Sequence, residues 1–378
     1  MTPTCILALN SGSSSLKFGL YRVDASSLET LLADNLPAAD PQDALARVAA
    51  LLEQHHLPAP AAIGHRIVHG GPVLREHCLI DAAVLEQLQA AASFAPLHTP
   101  AALSVIRLAQ QRFPGIAQAA CFDTRFHAGM PEVARVLPIA KALQSQGIQR
   151  YGFHGLSLES IVRQLGHELP QRLVIAHLGN GASITAVRAG LSVDTSMGLT
   201  PTGGVVMGTR SGDLDPGVLV YLLREKKFDA AMLESLVDHH SGLLGVSEVS
   251  GDMRKLHEAA ATHPDARLAI DMFCTSVRKQ IAAMITVLDG LDLLVFTGGI
   301  GENDAQVRAA ICAGLSWIGV RLDESRNAAS NQLIHDASSR CSVQVLASQE
   351  DEQIARHTWA LLAPGRYRPL PASRLNHG

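Results

Sequence analysis

Apolar residues near the start of the sequence form two short runs that a small polar turn separates. Residues 5–9 (CILAL) are continuously apolar, and apolar residues dominate again over residues 16–23, after the turn NSGSSS at residues 10–15. A short apolar run bounded by turn residues is typical of a buried β-strand. The pattern therefore predicts a strand, a turn and a second strand over residues 4–23.

The same pattern recurs in the second half of the sequence. An apolar run at residues 173–178 leads into the turn GNGAS at residues 179–183, and a further apolar run covers residues 184–187. Two such copies indicate an internally duplicated architecture, although two unrelated β-hairpins would produce the same pattern. Each turn offers backbone N–H groups without bulky side chains, as the close approach of a phosphate chain requires.

Helical periodicity fills much of the chain between these strands. Apolar residues share one face over residues 43–55, Asp81 is placed to cap a second helix, and residues 267–288 are a long, largely apolar helical segment. The apolar run at residues 293–296 predicts another strand, and helices that alternate with strands favour an α/β fold. Because 378 residues exceed what one core usually supports, we expect two domains, with the first boundary after residues 121–124.

Composition and charge exclude several classes of protein. Hydrophobic residues make up 47% of the chain and charged residues 17%, which is an ordinary globular composition. The net charge is −4 without a run of like charge, so neither a nucleic acid nor an anionic membrane is expected as a partner. No apolar stretch reaches the ~18 residues of a membrane span. The six cysteines contain no C-x-x-C pair, and no secretory signal is visible, so we expect a cytoplasmic protein without a disulfide framework.

Familiar nucleotide and hydrolase signatures are absent from the sequence. There is no G-x-x-x-x-G-K-[ST] phosphate loop, no G-x-G-x-x-G dinucleotide fingerprint and no G-x-S-x-G nucleophile elbow. A P-loop kinase, a Rossmann dehydrogenase and an α/β-hydrolase are therefore disfavoured.

The glycine-rich segments that are present suit the binding of phosphate and carboxylate groups. Residues 297–303 (TGGIGEN) follow the predicted strand at 293–296, at the end of a strand where an open α/β sheet takes a nucleotide. Arg66 and Arg210 each lie among glycines, and a guanidinium there can hold a carboxylate or a phosphate with two hydrogen bonds. Asp123 ends an apolar run, and His154 lies between Phe153 and a glycine. Taken singly, each also has a plain structural interpretation as a turn, a surface arginine, a cap or a buried histidine.

Taken together and in order, these segments resemble the acetate kinase family, within the actin-like superfamily of phosphotransferases. Residues 10–18 (NSGSSSLKF) are similar to the first signature of that family and residues 194–213 to its second, and the resemblance extends over essentially the whole chain. It implies an α/β fold of two duplicated actin-like (ribonuclease H-like) domains with a nucleotide cleft between them. Residues 1–127 plus the returning segment 351–378 would form the first domain, and residues 128–350 the second, nucleotide-binding domain.

The resemblance also implies an activity and a set of site residues. The implied reaction is the reversible transfer of the γ-phosphoryl group of ATP to acetate, giving acetyl phosphate and ADP, with Mg²⁺ or Mn²⁺ as the metal and a homodimer as the assembly. The implied catalytic residues are Asp123, Arg66, His154 and Arg210. The implied metal ligands are Asn10 and Glu350. The implied acyl-binding residues are Arg66, Val68, Leu97, Phe153 and Pro201. The implied nucleotide-binding residues are Lys17, His177, Leu178, Gly179, Asn180, Gly181, Asp252, Met253, Arg254, Gly299, Ile300, Gly301, Glu302 and Asn303.

The chemistry of this reaction agrees with such a residue set. A carboxylate acceptor is already ionised at neutral pH, so it needs little help from a general base. The difficulty is to bring two anions together and to stabilise the transferring phosphoryl group, a task that suits arginines and a metal ion. We therefore interpret Asp123 as an orienting or metal-shell group, not as an obligatory base.

The chain departs from the family pattern at a few positions, which keeps alternatives open. Leu158 stands where the family has a histidine, Thr99 where it has an asparagine, and Gly203 lies in a segment that lacks the usual glutamate. Residues 348–351 (SQED) replace the usual Thr-Asn-Glu-Glu. The alternatives are a propionate or butyrate kinase, a nucleotide-binding sensor of the same fold that has lost catalysis, and a sugar or glycerol kinase of the superfamily.

Overall fold

The structure is a computed structural model that describes residues 3–12, 15–37, 40–96 and 98–362. Its strands are β1 (Thr4–Ser11), β2 (Ser15–Val23), β3 (Leu28–Pro37), β4 (Ala62–Ile67), β5 (Cys78–Leu79), β6 (Ala117–Phe122), β7 (Arg172–Leu178), β8 (Ala182–Arg188), β9 (Leu191–Thr195), β10 (Leu293–Thr297) and β11 (Ser342–Val345). Its helices are α1 (Pro41–Gln54), α2 (Ala82–Ala90), α3 (Thr99–Arg112), α4 (Glu132–Arg135), α5 (Lys141–Gln144), α6 (Gly155–Leu165), α7 (Pro216–Glu225), α8 (Ala230–His239), α9 (Gly242–Ser247), α10 (Met253–Ala259), α11 (Pro264–Leu288), α12 (Gly298–Asn303), α13 (Ala305–Ala313), α14 (Glu324–Ala328) and α15 (Glu350–Leu362). Short 3₁₀ turns cover Ala91–Phe94, Arg125–His127, Gly166–Glu168 and Ser316–Ile318.

The chain divides into two compact units. Unit 1 consists of the described residues within Met1–Gly129, His154–Ser160 and Gln349–Gly378. It contains a six-stranded sheet in the order β3-β2-β1-β4-β6-β5. β1 pairs antiparallel with β2, and β2 with β3, whereas β4 is parallel to both β1 and β6. The short strand β5 closes the far edge antiparallel to β6.

Helices cover both faces of the unit 1 sheet. Successive residues of β1 alternate between two apolar clusters, so that Leu7 packs with α1 and α3, whereas Ile6 packs with α6 and α15. Because both faces are buried, the strand has a continuous apolar run instead of an alternating pattern. Helix α15 lies close against β4, since a Cβ added to Gly64 would be 2.1 Å from Thr358 Oγ1.

Unit 2 consists of Met130–Phe153 and Ile161–Ser348 and contains a five-stranded sheet in the order β11-β10-β7-β8-β9. β7 pairs antiparallel with β8, and β8 with β9, whereas β10 is parallel to both β7 and β11. Counted from β9, this sheet repeats the order β3-β2-β1-β4-β6 of unit 1, with two antiparallel pairings followed by two parallel ones. The internal duplication that the repeated strand–turn–strand pattern predicts is therefore present in the topology.

Most predicted elements are present, with shifted ends. The side chain of Asp81 caps α2 and accepts a hydrogen bond of 2.8 Å from the N–H of Val84. The long helix α11 begins at Pro264 instead of residue 267, because proline suits the first turn of a helix. The segment TGGIGEN, expected as a turn, begins with the last residue of β10, and its other six residues form the short helix α12. Among the described residues, no helix is both long and apolar enough to cross a membrane.

The two units differ from the predicted domains in three short segments. Residues 128–129, 154–160 and 349–350 group with unit 1, whereas the sequence prediction placed them in the second domain. The N–H of Gly155 donates to Asp123 O at 2.9 Å, and Leu156 packs in the same apolar cluster as Cys121. These contacts attach residues 154–160 to the end of β6, a relation that the order of residues along the chain does not reveal. The boundaries of the folding domains stay a prediction.

Candidate active site

Parallel strands bring polar side chains together at one edge of the unit 1 sheet. Asn10 lies near the end of β1, Arg66 near the end of β4, and Asp123 directly after β6. The register aligns Leu9 with His65 and Arg66 with Cys121, so these polar residues are neighbours across the sheet. Carboxyl ends of parallel strands are the usual place for ligands in α/β folds. Asn10, Arg66 and Asp123 therefore form the first part of a candidate site.

A buried ion pair is the centre of this site. Arg66 donates from Nε and Nη2 to Asp123 Oδ2 at 2.9 and 2.7 Å, and its Nη1 donates to Asn10 Oδ1 at 3.2 Å. Arg66 Nη1 also lies 4.0 Å from Glu350 Oε2. Burial opposes the charge of Arg66, but Asp123 and Glu350 raise its pKa above the ordinary value. The guanidinium is therefore fixed in one orientation and stays charged.

Asp123 has an unusual environment for a carboxyl group. It is fully buried, and its Oδ1 has no hydrogen-bond partner among the described residues. Burial raises its pKa to about 6, and the nearby Glu350 and Glu159 add to this rise while Arg66 opposes it. A buried, unpartnered carboxylate oxygen beside an arginine is typical of a position that can bind a ligand or a cation.

Carboxylates at the start of α15 complete the unit 1 site. Asn10 Nδ2 donates to Glu350 Oε2 at 3.1 Å and to Asp351 Oδ1 at 2.9 Å. Asp351 was not among the residues predicted from sequence, although it follows Glu350 directly. Burial raises its pKa, and the charge of Glu350 adds to the effect. Lys17 lies opposite Asn10 in the β1–β2 pairing, and its charge opposes this rise in the pKa of Asp351.

The donor set of this cluster fits a divalent cation. Glu350 and Asp351 accept hydrogen bonds from the amide of Asn10, and Arg66 contacts Asn10, Asp123 and Glu350. The cluster thus contains three carboxyl groups and the one guanidinium of Arg66. The negative charge therefore exceeds the positive charge of that arginine. Carboxylate and amide oxygens are the ligands that Mg²⁺ prefers, and the unpartnered Asp123 Oδ1 is one such oxygen.

His154 is held beside Asp123 in a strained backbone conformation. Its φ is 60°, in the left-handed region, which costs about 1 kcal/mol or more for a residue with a side chain. The next residue must be glycine, because a Cβ at Gly155 would lie 2.2 Å from Asp123 O. Leu158, where the sequence resemblance implied a histidine, is fully buried one turn into α6. Strain that the surrounding structure maintains is common at functional sites.

The glycine-rich segments of unit 2 surround a cavity of about 870 Å³. That volume is in the range of small-molecule sites. Its walls include the predicted residues Gly179, Asn180, Asp252, Met253, Arg254, Gly299, Ile300 and Asn303. Residues that sequence reasoning missed also line it: Gly251, His257, Asp304, Ala305 and Gln306.

Polar groups on the cavity wall are paired with one another. His257 Nε2 lies 2.8 Å from Asp304 Oδ2, and Arg254 Nη2 lies 2.6 Å from Asp252 Oδ2. Asp304 directly follows the TGGIGEN segment, so its place could have been inferred from that motif. His257 is a lone histidine on α10, and no local sequence signal identifies it.

Other residues predicted to bind nucleotide do not line this cavity. His177 and Leu178 are buried at the end of β7, and Gly181 O accepts from the N–H of Gly179 at 3.0 Å. Gly301 is buried in α12. Glu302 Oε1 accepts from the backbone N–H groups of Gly298 and Ser348, each at 2.9 Å. The Glu302 side chain therefore connects the start of α12 to the segment that precedes α15.

The residues predicted for the acyl side are distributed over both units. In unit 2, Arg210 Nη1 donates to Pro201 O at 2.9 Å, and Phe153 is buried. In unit 1, Val68 is buried directly after β4. Leu97 lies outside the described residues. The structure thus joins Arg210 to Pro201 within one unit, and the acyl pocket as a whole stays a prediction.

Comparison with known proteins identifies the family to which this chain belongs. A family model described as the acetokinase family matches residues 28–356. The acetate kinase of Methylocella silvestris is 40% identical over an alignment of 397 residues that covers 95% of this chain and 98% of that protein. A propionate kinase structure from Francisella tularensis subsp. tularensis SCHU S4 is 37% identical with a TM-score of 0.86, covering 95% and 100% of the two chains. The Porphyromonas gingivalis acetate kinase structure is 32% identical with a TM-score of 0.83 and the same coverage. By fold and by sequence alike, the chain belongs to the acetokinase family.

Proposed function

We propose that this chain catalyses the reversible transfer of the γ-phosphoryl group of ATP to acetate, giving acetyl phosphate and ADP. The observation that carries the proposal is the cluster at the strand ends of unit 1, in which Arg66 is fixed by Asp123 and Asn10 beside the carboxylates of α15. A relative that covers nearly the whole chain, that of Methylocella silvestris, is named acetate kinase.

The proposed roles follow from charge and geometry. A carboxylate oxygen of acetate attacks the γ-phosphorus, the bond to the β-phosphate oxygen breaks, and ADP leaves, so that no proton transfer is required at neutral pH. Arg66 and Arg210 neutralise the acetate and the transferring group, and His154 stabilises the charge that develops on it. Asp123 orients Arg66, since both of its hydrogen bonds from that guanidinium are shorter than 3 Å.

Mg²⁺ is the metal that this proposal requires, with Mn²⁺ as a substitute. Asn10 and Glu350 would hold it, and the neighbouring Asp351 and the unpartnered Asp123 Oδ1 offer further oxygens. When bound, the ion would neutralise charge on the phosphate chain and on the transferring group.

The unit 2 cavity is the proposed nucleotide site. Gly179, Asn180, Gly299 and Ile300 offer backbone and small side chains on its walls, and the volume of about 870 Å³ suffices for a nucleoside. Lys17, in unit 1, is the proposed contact to the phosphates. The division into folding domains of residues 1–127 with 351–378 and residues 128–350 is part of this proposal.

Propionate is the second candidate substrate. The propionate kinase from Francisella tularensis is 37% identical with a TM-score of 0.86, and the proposed acyl residues Val68, Phe153 and Pro201 are apolar. One additional methylene changes binding by only ~1–3 kcal/mol. The ratio of kcat/KM for acetate, propionate and butyrate ranks the substrates, and a clear preference for propionate would replace acetate in the proposal.

A homodimer is the proposed assembly. Helix α7 has no buried residue, although it carries Val218, Val220, Tyr221 and Leu223, each more than 40% exposed. Large apolar side chains that are left exposed on several sides of one helix are typical of an interaction surface. Light scattering after size exclusion should give the mass of two chains, and Val220→Asp should give the mass of one.

The proposed cytoplasmic location is supported by the six cysteines, which are all free thiols.

The decisive experiment traps the product chemically. Purified protein with Mg-ATP and acetate should form acetyl hydroxamate when hydroxylamine is present, and the signal should require Mg²⁺. Arg210→Ala should lose the signal while its circular dichroism stays unchanged. A folded wild-type protein that produces no hydroxamate from any short acid, yet binds ATP, would contradict the proposal and favour a sensor that has lost catalysis.

A further inference from the structure

One carboxylate and two imidazoles meet inside unit 1 and have no part in the proposed reaction. Glu159 Oε2 lies 2.5 Å from His357 Nε2 and 3.9 Å from His77 Nε2. The two imidazole centroids are 4.0 Å apart, and the side chain of His77 is 0% exposed. We refer to Glu159, His77 and His357 as the Glu159 cluster.

Two members of the cluster connect the helices that follow proposed site residues. Glu159 lies one turn into α6, which begins directly after His154. His357 lies two turns into α15, which begins at Glu350. The Glu159–His357 contact therefore fixes the positions of two helix starts that are remote in sequence.

The third member connects the cluster to Asp123. The N–H of Phe122, the residue before Asp123, donates to His77 Nδ1 at 3.0 Å. The ring of His77 is also stacked parallel to the Phe122 ring, at a centroid distance of 6.4 Å. His77 Nε2 has no hydrogen-bond partner among the described residues, and the nearest atom of Glu159 is Oε2, at 3.9 Å. The cluster thus reaches the end of β6 as well as the two helices.

Electrostatics make the cluster sensitive to the loss of any member. Burial alone would raise the pKa of Glu159, but the charge of His357 and its hydrogen bond, together with the nearby His77, hold that pKa well below its usual range. Burial lowers the pKa of His77 to about 4. Arg125 and Asp123 also interact electrostatically with the cluster. Removing one partner of a buried ion pair leaves the other charge without compensation.

A metal site is the competing interpretation of the same residues. Their ligand atoms lie within 4.8 Å of one another, and histidine with glutamate suits Zn²⁺. However, His77 Nδ1 accepts the Phe122 N–H, so the proton of the neutral ring is on Nε2, the atom that a metal would need. Histidines bound to a metal ordinarily donate from their other ring nitrogen. The geometry therefore favours a hydrogen-bonded cluster.

We propose that Glu159 is a positioning residue, which through His357 and His77 holds the starts of α6 and α15 and the end of β6 in the arrangement that aligns His154, Glu350 and Asp123 for phosphoryl transfer. The inference rests on the proposed function, because that function gives these three residues their roles. A misplacement of about 1 Å can cost about 10²-fold in rate. The loss should appear in kcat, because the nucleotide cavity of unit 2 is not built from these elements.

The test compares charge removal with donor removal. Glu159→Gln keeps the shape and removes the charge, His357→Phe removes the N–H donor, and His357→Gln keeps a donor at the same reach. Glu86→Gln, an exposed glutamate of α2, is the matched control. We expect Glu159→Gln and His357→Phe to lower kcat by about 10- to 100-fold with KM for ATP and acetate within about two-fold, and His357→Gln to restore most of kcat. The control should behave as wild type.

Each contrary outcome identifies a different error. A kcat of Glu159→Gln within two-fold of an active wild type overturns this inference alone, whereas a folded but inactive wild type overturns the proposed function and this inference with it. Equal losses in His357→Gln and His357→Phe overturn the positioning role, because they show that only packing matters. Should Glu159→Gln not fold, the His357 pair decides. Stoichiometric zinc in the purified wild type, lost in His77→Asn, overturns the inference in favour of a metal site.

Discussion

The ends of the central strands carry polar and charged side chains in unit 1 and lead into glycines in unit 2, although five strands of each sheet have the same order. In unit 1 the ends of β1 and β4 carry Asn10 and Arg66, which are bonded to carboxylates. In unit 2 the corresponding ends of β7 and β10 lead into glycine-rich segments, a turn after β7 and the helix α12 after β10, around a cavity of about 870 Å³. One topology thus supports two kinds of site, and the residues grafted on the strand ends determine which. In the proposed division of work, unit 1 supplies most of the charged groups for the transferring group, with Arg210 added from unit 2, and the unit 2 cavity holds the nucleoside.

The largest effect is expected from removing the charge at the centre of unit 1. Arg66→Ala should lower kcat by about 10³- to 10⁵-fold, because the transferring group loses a guanidinium that Asp123 and Asn10 hold in place. Arg66→Lys keeps a positive charge without the planar fork and should recover only part of kcat. Hydroxamate formation measures both variants. A kcat of Arg66→Ala within ten-fold of wild type would contradict the role of unit 1.

An arginine of unit 2 tests whether the chemistry belongs to unit 1 alone. Arg210→Ala should lower kcat by about 10²-fold or more, because its guanidinium, bonded to Pro201 O at 2.9 Å, is the second proposed cation for the two anions. The KM for ATP should change little. Steady-state kinetics with varied ATP and acetate give both constants, and normal turnover would confine the chemistry to unit 1.

A pair of neighbouring glycines tests how closely the start of α12 packs against the end of β7. Gly298 has φ 78°, and a Cβ there would lie 2.8 Å from Leu178 O, whereas a Cβ at Gly299 meets no atom within 4 Å. We expect Gly298→Ala to reduce the free energy of unfolding by about 1–3 kcal/mol and to raise the KM for ATP. Gly299→Ala is the matched control for stability. Urea unfolding compares the two, and equal stabilities would show that the loop tolerates the strain.

The smallest effect concerns the pH dependence of stability. The pKa of His77 is about 4 in the folded protein, below the ordinary value near 6.5. Between these values the unfolded chain binds more protons, so the free energy of unfolding falls as the pH falls, by about 1–3 kcal/mol in all. His77→Asn does not titrate and should show a flatter dependence over this range. Urea midpoints at pH 7 and pH 5 test this, and parallel curves would contradict it.

The sequence allowed much of the fold to be predicted because strand and helix signals are local. The apolar runs at residues 5–9 and 173–178 are strands, the duplication is present in the topology, and Asp81 caps its helix as expected. The family assignment and the actin-like fold that it implied are confirmed. The exception is TGGIGEN, where glycine suggested a turn and the chain forms the short helix α12.

The site was less accessible to sequence reasoning, because its geometry depends on tertiary packing. Arg66 and Asp123 could be named from motifs, but their ion pair follows from the register of β4 and β6. Asp351 was missed because its proximity to Asn10 arises only when α15 packs on the sheet. Glu159 was missed for the same reason, since its histidine partners are remote in sequence.

Titration of ADP into wild type and Arg66→Ala, followed by calorimetry, tests the division of work most directly. The account predicts dissociation constants within about three-fold of each other, because Arg66 belongs to unit 1 and the nucleotide cavity to unit 2. A loss of ADP binding in a folded Arg66→Ala protein would contradict the account, because it would show that the charged cluster of unit 1 is needed to hold the nucleotide.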